Sequence, residues 1–315
     1  MVGGWSEEVN MVKFSVVCGL HRSGTTFVGE ILKCAGVTVI HEPLNERYGM
    51  KDVPIAYPFV EHADDSMARL LDDVVHLARP WSKDLTYINA RGLKRKFYAV
   101  TGGKSGLRWG GLRLLKGIGL NLGKVCLKDP FMSLATPYLV NTHGLRVVCM
   151  VRHPAAIHHS TVKQGWWFDV NNLRKQVSLV EKYGQDIHDA HWEMAKQNHA
   201  ASIALLWKLM IRVNARLKLG SENILIVTHE SLCQEPERIA RQICEHLNVQ
   251  FSNKVERYVL DNSEGDRAEA KNGRTHDFAR NSRAIPDVWK GKVDAADLRM
   301  ILDIAGEEIF SVYGM

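Results

Sequence analysis

Short apolar runs rich in β-branched residues alternate along the chain with longer segments in which apolar residues recur every three or four positions. The apolar runs cover residues 14–18, 37–43, 125–131, 146–154 and 223–232. Helical periodicity covers residues 25–34, 64–78, 134–139, 171–183, 196–219, 236–247 and 295–310. Strands that alternate with helices predict an α/β fold, with a central parallel sheet flanked by helices on both faces.

A glycine-bounded turn, residues 19–24, joins the first predicted strand to the first predicted helix. A strand, a glycine turn and a helix start together aim backbone N–H groups and a helix dipole at an anion. The spacing matches the G-x-x-x-x-G of nucleotide-binding loops, but Thr25 replaces the lysine and the cation is Arg22, inside the turn. We therefore expect a phosphate-like ligand. The candidate ligands are Arg22, Ser23, Gly24, Thr25 and Thr26.

Chemically active residues also follow three other predicted strands. Glu42 ends the second strand, Lys128 lies in the third, and Arg152 follows the fourth. Carboxyl ends of parallel strands meet at one edge of a sheet, and ligands of open α/β sheets bind outside that edge. The sequence therefore predicts one site that combines the turn with these three residues.

The sequence HRSGTTFVGEIL, residues 21–32, resembles the 5′-phosphosulfate loop of sulfotransferases that use 3′-phosphoadenosine 5′-phosphosulfate (PAPS). It is most similar to the carbohydrate sulfotransferases, whose R-S-G-[ST]-[ST]-F loop is followed by an E-P pair, here Glu42-Pro43. The resemblance implies a P-loop-like sulfotransferase fold, PAPS as the donor and 3′-phosphoadenosine 5′-phosphate (PAP) as the product. It also implies that no metal ion is needed.

The resemblance implies roles for further residues at the nucleotide. The family binds the 3′-phosphate with an arginine and a serine spaced as Arg152 and Ser160 are. A guanidinium gives a phosphate two parallel hydrogen bonds and a permanent charge, and a hydroxyl completes the set. A C-terminal segment similar to a basic stretch of bacterial sulfotransferases contains Arg280, Arg283 and Trp289. Of these, Arg283 is expected near the nucleotide, and Trp289 either packs or stacks on adenine.

The resemblance assigns the general base to Glu42, with His41 and Glu46 as alternatives. Lys128 is expected beside the sulfuryl group, although an ion pair with Asp129 is an equal alternative. A loose in-line transition state, by analogy with phosphoryl transfer, requires mainly positioning and charge stabilisation. Arg22, with the N–H groups of residues 23–26, is therefore expected to stabilise the leaving 5′-phosphate.

The acceptor implied by the resemblance is a hydroxyl, with a saccharide favoured over a small natural product or a lipid. Two other classes of protein remain as alternatives: a P-loop nucleotide kinase or NTPase, and an anion-binding module without catalysis. Thr25 in the lysine position and the lack of a convincing Walker B strand argue against the first alternative. A module without catalysis would have no use for Glu42.

Positive charge is concentrated in one part of the chain. The net charge is +6, yet residues 91–128 hold ten Lys or Arg and no Asp or Glu, which leaves 31 basic and 35 acidic residues elsewhere. Residues 82–124 are glycine-rich and show no sustained period, so we expect either a basic lid or a disordered insertion. The segment matches no nucleic-acid recognition motif, and we expect no nucleic-acid partner.

The remaining composition is typical of a cytoplasmic enzyme with a single domain spanning residues 1–315. No run of about 18 apolar residues predicts a membrane span. The N-terminus is polar rather than signal-like. Six cysteines occur without a C-x-x-C pair, as expected for reduced thiols. The fourteen histidines lack the spacing of a zinc site. The oligomeric state is not predicted.

Overall fold

A five-stranded parallel sheet forms the centre of the protein, as the sequence predicts. The structure is a computed structural model that describes residues 13–314 except for residues 66, 84 and 264–281. The strands are β1 (Lys13–Gly19), β2 (Thr38–His41), β3 (Lys124–Lys128), β4 (Arg146–Val151) and β5 (Ile224–Thr228). Their order in the sheet is β2-β3-β1-β4-β5. β1, the first strand in sequence, therefore lies at the centre.

The register of the strands brings their carboxyl ends to one edge. Val17 of β1 and His41 of β2 both pair with Lys128 of β3. On the other side of β1, Gly19 pairs with Met150 of β4. The turn after β1, the residues after β2 and the end of β3 therefore meet at the same edge, as expected for a parallel sheet.

Helices cover both faces of this sheet. In chain order the described helices are α1 (Thr25–Cys34), α2 (Ala68–Val75), α3 (Leu85–Ile88), α4 (Gly92–Thr101), α5 (Lys104–Gly117), α6 (Thr136–Asn141), α7 (Pro154–Val162), α8 (Asn171–Arg174), α9 (Val177–Tyr183), α10 (Asp189–Ala195), α11 (His199–Gly220), α12 (His229–Gln234), α13 (Pro236–His246), α14 (Asn253–Asp261) and α15 (Ala295–Tyr313). Within the described residues, none of these helices has the length and apolar character needed to cross a bilayer.

The alternation of side chains along β1 explains why the sheet has an apolar core on each face. Val16 packs into the larger core cluster, which includes Trp207 of α11. The next residue, Val17, packs into a second cluster with Val28 of α1 and Ile243 of α13. Because successive strand residues point to opposite faces, one apolar strand supplies both cores, and so both faces must be covered.

Residues 82–124 contain three helices rather than a long loop. α4 ends at Thr101 and is capped by Gly102, which has a left-handed φ of 74°, and α5 begins at Lys104. The buried side of α5 contains Gly106, Trp109 and Leu112, while Leu107 and Leu114 of the same helix are exposed. Apolar residues on both sides of a helix hide the helical period, and glycines at its ends suggest a loop.

Several further elements differ from the sequence prediction. The helix predicted over residues 171–183 is divided into α8 and α9, and the side chain of Gln176 at the break bonds to another segment. Its amide oxygen accepts a hydrogen bond from the backbone N–H of Phe59 at 2.6 Å, and its amide nitrogen donates to the carbonyl of Tyr57 at 3.0 Å. α10 and α14 were not predicted at all. Both are short, and each has two buried residues.

Candidate functional site

The turn after β1 is shaped by close contacts that only glycine permits at its first position. Gly19 has a φ of 129°, and a Cβ there would lie 2.1 Å from the carbonyl oxygen of Met150. The backbone N–H of Gly19 donates to the hydroxyl of Ser133 at 3.0 Å. The turn is therefore held against β4 on one side and against the segment after β3 on the other.

The rest of the turn leads directly into α1. Ser23 is buried, and its hydroxyl donates to the carbonyl of Leu20 at 2.7 Å, which closes the turn. Gly24 is the N-cap of α1 with a φ of 97°, and glycine has no side chain with which to cap the helix. Thr25 and Thr26 are the first two helical residues, and the first turn contains no acidic residue. An uncapped helix start of this kind favours an anion.

Two arginines and a serine converge beside this turn. The Nε of Arg22 donates to the hydroxyl of Ser160 on α7 at 2.9 Å. Nη1 of Arg152, at the end of β4, donates to the carbonyl of Arg22 at 2.9 Å. Arg22 has a left-handed φ of 72°, an uncommon conformation for a residue with a Cβ. The structure thus brings together Arg22, Arg152 and Ser160, the three residues expected to bind the phosphates.

Glu42 and Lys128 form an ion pair at the neighbouring strand ends. Nζ of Lys128 donates to one carboxylate oxygen of Glu42 at 2.7 Å, and the side-chain amide of Asn45 donates to the other at 2.9 Å. The Lys128 side chain is 4% exposed and that of Glu42 is 28% exposed. Glu42 also has a left-handed φ, 54°. The backbone therefore positions the ion pair, and solvent reaches the pair through the carboxylate of Glu42.

Burial and the charge of Lys128 shift the pKa values of two of the candidate bases. Burial raises the pKa of Glu42, but the charge and hydrogen bond of Lys128 outweigh it and lower this pKa to about 2. Burial and the charge of Lys128 lower the pKa of His41 to about 3. At neutral pH Glu42 is therefore a carboxylate and His41 is a neutral imidazole. The third candidate base, Glu46, is exposed.

In this structure Asp129 does not form the ion pair with Lys128 that was one of the two alternatives for the lysine. Its carboxylate instead accepts the backbone N–H of Leu44 at 2.6 Å and that of Phe131 at 2.9 Å. Asp129 is fully buried, and burial raises its pKa to about 7. Asp129 thus connects the segments that follow β2 and β3, and Lys128 pairs with Glu42 instead.

A histidine–tyrosine pair beside the turn was not predicted. Nδ1 of His21 shares a hydrogen bond of 2.6 Å with the hydroxyl of Tyr57. The imidazole also contacts Phe131 and Trp166 edge-to-face, with ring centroids 4.8 and 5.8 Å away. Burial lowers the pKa of His21 to about 4, so the ring is neutral at pH 7. This pair could not be predicted, because Tyr57 lies in a segment without periodicity.

The end of β5 and the C-terminal segment lie close to the same edge. A Cβ on Gly24 would be 3.0 Å from the imidazole of His229, the residue after β5. Ser282 donates to the carbonyl of Cys233 on α12 at 2.8 Å, which brings the C-terminal segment to this region. Arg283 follows Ser282 and is exposed. Arg280, in the same predicted basic segment, lies outside the described residues.

Trp289 packs on a histidine beside the nucleotide-binding candidates. Its ring stacks on His153 with centroids 4.6 Å apart and planes at 13°. The backbone N–H of His153 donates to Glu230 at 3.0 Å, and Glu230 also accepts the hydroxyl of Tyr313 at 3.1 Å. Trp289 therefore packs on the residue that follows Arg152, which is one of the two roles considered for it. The bond of Tyr313 attaches α15 to the same region.

His158 of α7 is bonded to two other side chains. His158 shares hydrogen bonds with His199 at 2.9 Å and with Asp297 at 3.1 Å. Across the part of the chain that the structure describes, no three His, Cys, Asp or Glu side chains come together as a metal site would require.

The fold and the site define an α/β protein in which a glycine turn, an uncapped helix start and two arginines meet at one edge of a parallel sheet. The model of the sulfotransferase family matches residues 16–253, about three quarters of the chain. The chain therefore belongs to the sulfotransferase family, which confirms the enzyme class and argues against the nucleotide kinase alternative. Comparison with curated protein sequences gave no match.

Several solved sulfotransferases are similar in overall architecture. The sulfotransferase domain of the Synechococcus PCC 7002 olefin synthase is 15% identical, with a TM-score of 0.47 and 96% of each chain covered. Sulfotransferase STF9 from Mycobacterium avium is 14% identical, with a TM-score of 0.45 and coverage of 96% of this chain and 78% of that one. Mouse sulfotransferase SULT7A1, solved with PAP, is 11% identical, with a TM-score of 0.40 and coverage of 94% and 84%.

Proposed function

We propose that this sulfotransferase transfers the sulfuryl group of PAPS to a hydroxyl of an acceptor. One observation carries the proposal: Arg22 bonds to Ser160 while Arg152 bonds to the backbone of Arg22. These contacts place two permanent positive charges and a hydroxyl beside an uncapped helix start. A ligand with two phosphate groups on one nucleoside is the kind of anion that such a site suits.

The proposed ligands fall into two groups. The N–H groups of residues 23–26 and the guanidinium of Arg22 would hold the 5′-phosphosulfate. Arg152 and Ser160 would hold the 3′-phosphate, which distinguishes PAP from ordinary adenine nucleotides. Arg283 is proposed as a further nucleotide ligand, supported by the bond of its neighbour Ser282 to α12. No metal ion is part of the proposal.

The ion pair of Glu42 and Lys128 suggests how the base is controlled. A carboxylate with a pKa of about 2 is a weak base while Lys128 neutralises it. An anionic sulfuryl group beside the pair would attract the ammonium of Lys128, and loss of that partner raises the basicity of Glu42. Glu42 would then take the proton of the acceptor hydroxyl while the acceptor oxygen bonds to sulfur. The bond from sulfur to the 5′-phosphate breaks, and PAP leaves with the bridging oxygen.

Calorimetry tests the donor assignment directly. PAP should bind without added metal, and 5′-AMP should bind more weakly because it lacks the 3′-phosphate. A mass increase of one SO3 group on an acceptor incubated with PAPS, and no phosphoryl transfer from ATP, would then identify the reaction. Equal affinity for PAP and 5′-AMP would refute the roles of Arg152 and Ser160.

The acceptor and the location are also proposals. A saccharide hydroxyl is favoured by the similarity of the turn and of Glu42-Pro43 to carbohydrate sulfotransferases, with a small natural product or a lipid as the alternative. The proposed location is the cytoplasm, supported by six free cysteines of which five are buried. Screening hydroxyl acceptors by mass spectrometry would decide between the classes of acceptor.

A further inference from the structure

The outer faces of α4 and α5 expose large apolar side chains. On α4, Leu93, Phe97 and Val100 follow the i, i+4, i+7 spacing of one helix face, with exposed fractions of 83%, 55% and 89%. On α5, Leu107 and Leu114 lie seven residues apart and are 48% and 66% exposed. Single exposed apolar residues are common on proteins, but a repeated apolar stripe on the outside of neighbouring helices marks an interaction surface.

The same two helices already bury their other faces. Tyr98 of α4 is buried, and so are Trp109 and Leu112 of α5. The indole N–H of Trp109 donates to the carbonyl of Arg79 at 2.9 Å, and its ring contacts Trp81 at a centroid distance of 5.8 Å. The exposed stripe is therefore a second face on helices that are already anchored.

The charged residues of α4 and α5 are all of one sign. Lys94, Arg95 and Lys96 lie between Leu93 and Phe97 in sequence, and residues 91–128 contain no Asp or Glu. A helix that combines protruding aliphatic side chains with lysines and arginines suits an anionic lipid surface. The apolar groups enter the interface, while the cations extend from their aliphatic stems to the head groups.

We propose that the outer faces of α4 and α5 dock on the surface of an anionic lipid bilayer. A second copy of the chain fits less well, because a two-fold contact through this surface would oppose like charges. Single-stranded nucleic acid fits less well because Phe97 is the one exposed aromatic residue of α4 and α5, whereas Tyr98 and Trp109 are buried on the inner faces. The docking surface lies on folded helices and does not require a membrane-spanning segment.

Vesicle flotation with the full chain tests this docking. The protein should bind vesicles of equal parts phosphatidylcholine and phosphatidylglycerol at least about tenfold more strongly than phosphatidylcholine vesicles, because each basic side chain near an anionic surface adds to binding. Added salt should weaken the binding, since exposed charges are screened. Equal binding to both kinds of vesicle, or no binding to either, would overturn the proposal.

Two triple variants and one matched control assign the binding to the surface. Replacement of Leu93, Phe97 and Val100 by Ser removes the apolar stripe, and replacement of Lys94, Arg95 and Lys96 by Gln removes the adjacent charge. Each should lower vesicle binding about tenfold or more. The control replaces three exposed apolar residues elsewhere on the protein by Ser. They are Leu219, Leu302 and Phe310, with exposed fractions of 82%, 46% and 63%. The control should bind vesicles as the wild type does.

The other possible occupants give distinct outcomes. A dimer that the apolar triple variant dissociates, without vesicle binding, would assign the surface to a second copy of the chain. Tight binding to soluble polyglutamate that is insensitive to the apolar variant would assign it to an acidic protein. Either result would overturn docking on a bilayer, and so would vesicle binding that survives both triple variants. Calorimetry with PAP on every variant confirms that the fold and the nucleotide site are intact.

Discussion

The carboxyl edge of the sheet and the outer faces of α4 and α5 both concentrate positive charge, but they hold it differently. At the sheet edge, Lys128 is buried against Glu42 at 2.7 Å, and Arg22 is bonded to Ser160 at 2.9 Å. On α4, Lys94 and Lys96 are exposed on the surface beside apolar side chains. Positioned charge suits recognition of one small anion, whereas exposed charge suits an extended anionic surface. Each of the four predictions below changes a residue in one of these two regions.

The largest effect is expected for Glu42→Gln, at the centre of the sheet edge. Turnover should fall by about 10²–10⁴, because a positioned general base contributes that much and an amide cannot accept the proton. Affinity for PAP should change little, since Glu42 need not contact the nucleotide. Glu46→Gln is the matched control on an exposed carboxylate and should stay near wild type. A Glu42→Gln enzyme within about tenfold of wild type would contradict this role.

Arg152→Ala should give the next largest effect, on binding rather than on stability. Loss of a charge-assisted contact to phosphate should weaken PAP binding by about 2–5 kcal/mol, measured by calorimetry. Arg146→Ala is the control, because Arg146 begins the same strand at the opposite edge and bonds to the carbonyl of His246 at 2.7 Å. If the two variants lost affinity equally, the phosphate site would have to lie elsewhere.

Asp129→Asn tests the connection between the segments after β2 and β3. The amide has one acceptor oxygen for the N–H groups of Leu44 and Phe131, so one buried donor loses its partner at a cost of about 1–3 kcal/mol. Burial raises the pKa of Asp129 from 3.8 to about 7, so its protonated form is favoured in the folded state. The stability that this proton contributes is greatest at low pH and is lost as the pH rises through the folded value.

Denaturant unfolding at several pH values measures this dependence. The difference in free energy of unfolding between wild type and Asp129→Asn should shrink as the pH rises from the unfolded pKa of 3.8 to the folded pKa of about 7, and should be level above it. Asp287→Asn, on an exposed carboxylate paired with Lys290, should show no such trend. A difference that stays constant with pH would show that the pKa of Asp129 is not raised.

The smallest effect is expected on the outer face of α4. Val100→Ser should change the free energy of unfolding by less than about 0.5 kcal/mol, because an exposed side chain loses little packing. Leu112→Ala, on the buried side of α5, should cost several times more since it leaves a cavity. Similar losses for the two variants would mean that the exposed stripe is covered by other parts of the protein in solution.

The sequence predicted the parts of the site that come from regular elements. The turn, Glu42, Lys128 and Arg152 follow strands, and parallel strands bring their carboxyl ends together. It could not predict that Asp129 would bond to Leu44 rather than to Lys128, because Leu44 is 85 residues away in sequence whereas Lys128 is adjacent. The pair of His21 and Tyr57 was missed because Tyr57 lies in a segment without periodicity. The helices α4 and α5 were missed because apolar residues lie on both of their faces.

The order of the strands has a consequence for how the protein folds. β1 lies at the centre of the sheet, yet Ser15 pairs with Cys126 on one side and with Arg146 on the other. A chain emerging from the ribosome therefore has a central strand with two unpaired edges until more than a hundred further residues have been made. Contacts so distant in sequence slow folding. Until β4 arrives to place Met150 against Gly19, the turn of residues 19–24 is complete in sequence but lacks the strand that it packs against.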